Sequence, residues 1–266
     1  MSLRPPPSLD QLLSAAAAAA EQAGSVLAHR FGGERQVEKK GTIDLVTDAD
    51  RAAEKAIVEL LRGRFPDHAI LAEEGGASGA SRFRWIVDPL DGTTNYAHGL
   101  PHFCVSVACE VDGRVEVGAI LDPLRGELFT AAIGRGARLN GALIHVTEVS
   151  KASDALVATG FPYWVQERPA RVEALLSAFL RTAQGLRRFG SAALDLAWVA
   201  AGRHDGFFEL GLKPWDVAAG VLIVQEAGGV VTDLLGEMMA LDAAELLCAG
   251  AQLHPELLRI AREARE

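Results

Sequence analysis

The sequence predicts a mixed chain, α+β in its first half and α/β in its second. Up to about residue 150, apolar runs come in closely spaced pairs joined by turn signals, with few helical stretches between them. Beyond it, short apolar runs alternate with helical patterns, which implies stacked helix and sheet layers. A third observation marks the centre. In Trp85-Ile86-Val87-Asp88-Pro89-Leu90-Asp91-Gly92-Thr93-Thr94-Asn95 a buried-strand pattern runs straight into carboxylates.

Taken in order, Leu9 through Arg30 reads as one long alanine-rich helix, with Pro5-Pro6-Pro7 before it and Gly32-Gly33 after. Its alanine run, Ala15 to Ala20, is too weakly apolar for a signal peptide and is followed at once by Glu21. Gln36 to Lys40 is a short strand broken by Gly41. Lys39-Lys40-Gly41-Thr42 is a candidate mobile loop. Thr47-Asp48-Ala49-Asp50 has the form of a capping box and opens a helix to about Phe65, with Ala53, Ile57, Leu60 and Leu61 on one face. Ala69-Ile70-Leu71 is a strand ending on Glu73-Glu74. Cys104 to Glu110 and Val115 to Leu121 form a hairpin around Asp112-Gly113. Glu127 to Thr130 and Ala142 to Val146 add strands. Gly134-Arg135-Gly136 is half a dinucleotide fingerprint, but no helix follows it.

A boundary is expected near Val149 to Asp154, dividing residues 1–150 from 151–266. Strands then fall at Ala155–Thr159, Leu186–Phe189, Gly206–Leu210, Gly229–Thr232 and Leu246–Ala249. Helices fall at about Val165–Gln184, Ser191–Ala201 and Trp215–Ala227, with a last one from about Pro255.

The central stretch carries the chemistry. Pro89 is expected to end sheet pairing, leaving Asp88 at a strand end and Asp91 in the loop after it. Gly92 and the two threonines make a turn able to aim N–H groups at an anion. Taken alone, D-x-x-D-G reads first as a strand meeting an Asx-turn. By the same standard Glu73 is a structural acid, Asp44 a solvated turn acid, and Asp216 the N-cap of a helix after Pro214. Together they make a set of oxygen ligands suited to Mg²⁺ or Mn²⁺, with a phosphate held against the metal.

Composition is compatible. The chain has 266 residues, 49% hydrophobic and 23% charged, with net charge −9, which disfavours a general nucleic-acid surface. Cys104, Cys109 and Cys248 lie in apolar runs with no C-x-x-C pair, the usage of buried thiols in a cytoplasmic protein. No apolar run reaches transmembrane length, so no membrane partner is expected.

The motifs D-L-V-T-D-A-D, L-A-E-E-G, W-I-V-D-P-L-D-G-T-T-N and P-W-D-V-A-A-G…E-A-G-G, in that order, resemble those of the inositol monophosphatase family. The resemblance runs from about residue 9 to about residue 260. It implies the sugar phosphatase fold, a layered α-β-α-β-α sandwich, usually as a homodimer. It also implies a lithium-sensitive, Mg²⁺-dependent phosphomonoesterase with two or three ions. By motif position, Glu73, Asp88 and the Leu90 carbonyl would hold one ion and Asp88, Asp91 and Asp216 a second. A weaker third would rest on Glu73 and waters. Gly92 and Thr93 would receive the phosphate beside Asp91. Gly190, Ser191, Ala192 and Glu209 would face the alcohol.

Hydrolysis is then expected to use a metal-activated water and no covalent intermediate, with Glu73, or Thr93 relayed to Asp44, accepting its proton. The aspartates of D-P-L-D-G-T are three apart, not two as in D-x-D-x-T, so a phospho-aspartate route is disfavoured. The expected substrate is a small phosphorylated polyol or sugar, first myo-inositol monophosphate. Fructose 1,6-bisphosphate and histidinol phosphate are alternatives on the same scaffold, and a non-catalytic regulatory or binding protein is the alternative of a different class. Arg187, Arg188 and Lys213 are either a second-phosphate site or plain surface charge. Phe161-Pro162-Tyr163-Trp164 is either a substrate wall or a hydrophobic staple.

Overall fold

The structure is a computed structural model and describes residues 6–33, 37–39, 45–242 and 244–264. Helix α1 (Leu9–Arg30) starts where Ser8 and Gln11 close a capping box, and its alanine run is buried: Ala15, Ala16, Ala19, Ala20 and Ala23 have no exposure. Small side chains there let the helix lie close against its neighbours. Strands β1 (Val37–Lys39) and β2 (Leu45–Thr47) pair antiparallel. Residues 40–44, which hold most of the candidate mobile loop and Asp44, lie outside the described residues. Thr47 and Asp50 close the expected capping box at α2 (Asp48–Arg64), which buries Ala53, Ile57 and Leu61.

There follow β3 (Ala69–Ala72), β4 (Gly76–Ser78), β5 (Phe83–Asp91), α3 (Thr93–Ala97), β6 (Cys104–Val111), β7 (Arg114–Asp122), β8 (Glu127–Ala132), β9 (Ala137–Leu139) and β10 (Ala142–Ile144). All eight strands from β3 to β10 form one sheet in the order β10-β9-β8-β7-β6-β5-β3-β4. The short strands β4 and β9 carry too little apolar pattern to stand out in the sequence. Asp112-Gly113 and Asn140-Gly141 turn two of the hairpins, with Asp112 and Asn140 both at positive φ.

The second half contributes β11 (Leu156–Thr159), α4 (Ala170–Thr182), β12 (Gly185–Arg187), α5 (Ala192–Ala200), β13 (Gly206–Leu210), α6 (Pro214–Glu226), β14 (Gly229–Thr232), β15 (Glu245–Gly250) and α7 (His254–Glu263). Its sheet runs β12-β11-β13-β15-β14, with β11 parallel to both its neighbours and β15 antiparallel to both of its own. α4 begins at Ala170, not near Val165, because Pro169 disfavours helical backbone at Arg168; residues 163–167 form turns instead.

Three apolar clusters stack the elements. α1 and α2 cover one face of the eight-stranded sheet. α5 and α6 fill the space between the two sheets. α4 and α7 cover the far face of the five-stranded sheet. The result is the α-β-α-β-α sandwich. Among the described residues no helix is long and apolar enough to cross a membrane.

Pro89 does not end the pairing of β5. The register runs Asp88↔Ser106 and then Asp91↔Cys104, so β5 spends one residue more than β6 over the same step. That is a bulge, the one place inside a sheet where a residue without an N–H is tolerated. Its consequence is geometric. In a regular strand, residues three apart point to opposite faces. The extra residue restores a common face, and Asp88 and Asp91 open into the same cavity.

Candidate active site

A cavity of about 160 Å³ lies where the two halves meet, at the carboxyl ends of β3 and β5 and the amino ends of α5 and α6. Glu73, Asp88, Asp91 and Asp216 line it, as do Leu90, Gly92, Thr93, Gly190, Ser191, Ala192 and Glu209. Every described residue that the motifs selected thus faces one space. Glu73 is placed by its N–H, which donates to Val87 O at 3.2 Å across to β5. Asp216 is the third residue of α6, not its N-cap. That position belongs to Lys213, whose N–H donates to Asp216 Oδ2 at 2.7 Å, and Pro214 takes the first turn, where no N–H is needed.

Asp91 ties the halves together. Its Oδ2 accepts from Ser191 Oγ and from Ala193 N, both at 2.7 Å. A carboxylate on β5 therefore does for α5 what a local cap would do, and Ser191 spends its hydroxyl on Asp91 and makes no cap bond within its own helix. Asp88 Oδ1 accepts from Leu90 N at 3.0 Å across the bulge.

Burial, followed by the charges of Glu73, Asp91 and Asp216, pushes the Asp88 carboxyl well above the usual aspartate range. Asp216 is raised by burial and then by Asp91. Asp91 is raised by burial and drawn back by the Ser191 and Ala193 hydrogen bonds. Such a cluster is electrostatically incomplete by itself, and cations between the carboxylates remove both the repulsion and the need for protons. Among the described residues, no three acidic, histidine or cysteine side chains are closed on one point as a finished metal cage. The acids stand around the cavity instead, and Asp88, Asp91 and Asp216 each have an oxygen held by protein N–H or O–H donors. The donor set, carboxylates with the Leu90 carbonyl, fits a hard divalent cation.

Gly92 turns the chain from β5 into α3 with φ +97°, and a Cβ there would meet His102 O at 3.0 Å, so the tight turn requires glycine. Thr93 follows. Its Oγ1 lies 2.9 Å from Leu90 O and 3.1 Å from Asp50 Oδ1. Asp50 is fully buried, and its Oδ2 also accepts from Thr47 N at 2.9 Å and Thr47 Oγ1 at 2.5 Å. Burial raises its carboxyl, while the Thr47 and Thr93 hydrogen bonds act against that rise. Asp50, which the motif reading did not name, is thus hydrogen-bonded to Thr93 of the cavity wall. The signal was present: an acid at the third position of a capping box, aimed inward.

Glu209, one of the residues expected to face the alcohol, rises from β13 against Gly160, where a Cβ would stand 2.0 Å from Glu209 Oε2. Burial and the Asp91 charge push Glu209 up to about 8, against the pull of Arg188. Phe161 and Tyr163 line the cavity, and Phe161 and Trp164 both pack against the α4–α7 core, so the segment is wall and staple at once. Arg188 and Lys213 also line the cavity; Arg187 is absent from its wall.

The sequence profile of the inositol monophosphatase family matches residues 8–266. A curated relative, Nus factor SuhB of Pasteurella multocida, is 44% identical over 254 residues, covering 94% of this chain and 95% of its own. Among solved structures, the extragenic suppressor protein suhB of Bartonella henselae superposes with TM-score 0.90 at 40% identity, covering 94% of this chain and 98% of that one. The inositol monophosphatase of Anabaena (Nostoc) sp. does so with TM-score 0.88 at 41% identity, covering 96% of each.

Proposed function

The chain belongs to the inositol monophosphatase family, and from that premise we propose that it hydrolyses a small phosphate monoester in the presence of Mg²⁺, with myo-inositol monophosphate the first candidate. The observation that carries this is the convergence of Glu73, Asp88, Asp91 and Asp216 with the Gly92–Thr93 turn on one cavity. Glu73, Asp88 and the Leu90 carbonyl would hold one ion, and Asp88, Asp91 and Asp216 the second. A third would rest on Glu73. When bound, Mg²⁺ or Mn²⁺ neutralises phosphoryl charge and acidifies water.

The chain's own residues do the rest. The first N–H groups of α3, at Gly92 and Thr93, face the position for the phosphate. Thr93 Oγ1 accepts a proton from the attacking water as its own passes to Asp50 Oδ1, 3.1 Å away. This assigns to Asp50 the relay role expected of Asp44, which lies outside the described residues. Ser191 fixes Asp91. Glu209, with Gly190 and Ala192 beside it, meets the hydroxyls of the alcohol.

The test is phosphate release from myo-inositol 1-phosphate, fructose 1,6-bisphosphate and histidinol phosphate, with and without Mg²⁺, by wild type and Asp91→Asn. Mg²⁺-dependent turnover by wild type and near-total loss in the variant support the proposal. Equal activity in the two sinks the site assignment. We extend the proposal to a cytoplasmic homodimer, to be checked by light scattering and fractionation.

A second reading has its own observation. The curated relative at 44% identity carries the name Nus factor, so a regulatory role independent of catalysis fits this chain too. A wild-type protein inert on every substrate with Mg²⁺ present would favour it.

A further inference from the structure

We propose that Glu54 of α2 is a positioning residue for the candidate metal site, holding the turn between β3 and β4 so that Glu73 keeps its place at the carboxylate cluster. This rests on the Mg²⁺-dependent reading above and deepens it. Glu54 lies in none of the motifs that point to the site, and its position follows from the helix. Asp50 and Glu54 are one turn of α2 apart, so their side chains leave the same face, and both are buried. The Asp50 carboxylate reaches Thr93 in the turn after β5. The Glu54 carboxylate reaches the turn after β3, where its Oε2 accepts from Glu74 N at 2.8 Å. One face of α2 therefore touches both turns, and the parallel strands before them deliver Glu73, Asp88 and Asp91 to the cavity.

The turn is short, residues 73–75 between the paired Ala72 and Gly76. Its N–H groups leave in two directions. Glu73 N donates to Val87 O on β5, and Glu74 N donates to Glu54 on α2. Gly75 completes the fit: a Cβ there would stand 2.8 Å from Glu54 Oε1, so the missing side chain lets the carboxylate lie against the turn. Glu54 is absent from the cavity wall, and it acts on the site through Glu73, which lines it. A carboxylate accepting from a backbone N–H makes a charge-assisted bond, stronger than a neutral one. Partners that orient a metal ligand in this way typically weigh about 10–100-fold in metal affinity. The competing account gives Glu54 a share in stability alone.

The experiment measures Mg²⁺ affinity of the full chain by titration calorimetry, with amide hydrogen exchange of the metal-free protein as a second readout. Glu54→Ala removes the acceptor. It is expected to weaken Mg²⁺ binding at least tenfold and to speed exchange across residues 73–75, while exchange across α3 stays as in wild type. Glu54→Gln loses the same charge but keeps an accepting oxygen, so its affinity is expected to stay within threefold of wild type. Gly75→Ala crowds Oε1 and is expected to weaken binding severalfold in the wild-type background, yet to add less than twofold to Glu54→Ala, because the two act through one contact. A loss smaller than tenfold in Glu54→Ala overturns the positioning role while the metal reading stands, whatever the Tm does. Equal losses in Glu54→Ala and Glu54→Gln overturn it too, since the effect is then one of charge. If Glu54→Ala does not fold, Gly75→Ala decides, and wild-type affinity there overturns the proposal. A wild-type chain that binds no Mg²⁺ removes the metal reading and the positioning role with it.

Discussion

Thr93 Oγ1 and Asp50 Oδ1 stand 3.1 Å apart although 43 residues separate them. The contact joins the turn after β5 to the first turn of α2, and in the proposed reaction Asp50 is the acid through which Thr93 would lose its proton. Asp50→Asn is expected to lower kcat at least a hundredfold with little change in KM, within the range of general acid–base contributions. The amide oxygen can still accept from Thr47 N, so the Tm is expected to fall by only a few degrees. Asp44→Asn is expected to stay within threefold of wild type. Steady-state kinetics on the three proteins settles the order, and a larger loss at position 44 than at 50 would reverse the assignment.

The same pair shows what the sequence discloses and what it withholds. D-L-V-T-D-A-D announces a helix start and supplies three acids. Which of them meets Thr93 depends on the angle at which α2 docks against β5, a tertiary matter. The α-β-α-β-α layering was legible because strand and helix periods differ and because the motifs carry a family likeness. The bulge at Pro89 was not: a proline in an apolar run reads as a strand end, and only the partner register reveals that pairing resumes at Asp91. The parity argument that puts Asp88 and Asp91 on one face was therefore out of reach. Glu73 and Asp216 read from their own surroundings as structural acids, and only the family motifs singled them out as ligands.

Protons and cations compete for the cluster. Asp88, Asp216 and Glu209 hold their protons to higher pH in the folded chain than in the unfolded one. From the ordinary range, 3.8 for aspartate and 4.5 for glutamate, up to the raised folded values, the folded chain binds protons that the unfolded chain has released. Metal-free protein should therefore lose stability as pH rises through that window, which for Glu209 closes near pH 8. Ligation requires the ionised forms, so Mg²⁺ should raise Tm more at about pH 7.5 than at about pH 5.5. At a hundredfold excess over Kd the gain is about 2.7 kcal/mol. Scanning calorimetry with and without EDTA measures it, and a Tm indifferent to Mg²⁺ at both pH values would count against the cluster as a metal site.

Glu209 depends on the absence of a side chain at Gly160. A methyl group there would overlap Oε2 at 2.0 Å, closer than any non-bonded contact allows. Gly160→Ala must push Glu209 from its place in the cavity wall. The expected result is a tenfold or greater rise in KM for myo-inositol 1-phosphate, with kcat reduced less, since the carboxylates of the metal cluster are untouched. An unchanged KM would mean that Glu209 does not contact the substrate.

The motif Gly134-Arg135-Gly136 binds no nucleotide phosphate; it captures a carboxylate of its own chain. Glu226, the last residue of α6, accepts from Gly134 N at 2.8 Å, Arg135 N at 3.0 Å and Gly136 N at 2.8 Å. Three N–H groups on one carboxylate pin the β8–β9 turn to the end of the helix that begins with Lys213 and Asp216. Charge-assisted bonds of this kind are each worth about 1.5–3 kcal/mol when shielded, and less where water competes, as at this partly exposed site. Glu226→Ala is expected to cost roughly 1–2 kcal/mol in total, lowering Tm by about 2–8 °C. Glu226→Gln, which keeps one accepting oxygen, should fall between the two. Because the far end of α6 holds Asp216, a purely local loss leaves the Mg²⁺ dependence of turnover unchanged. A shift in that dependence in Glu226→Ala would mean that the turn also sets the placement of the helix at the active site.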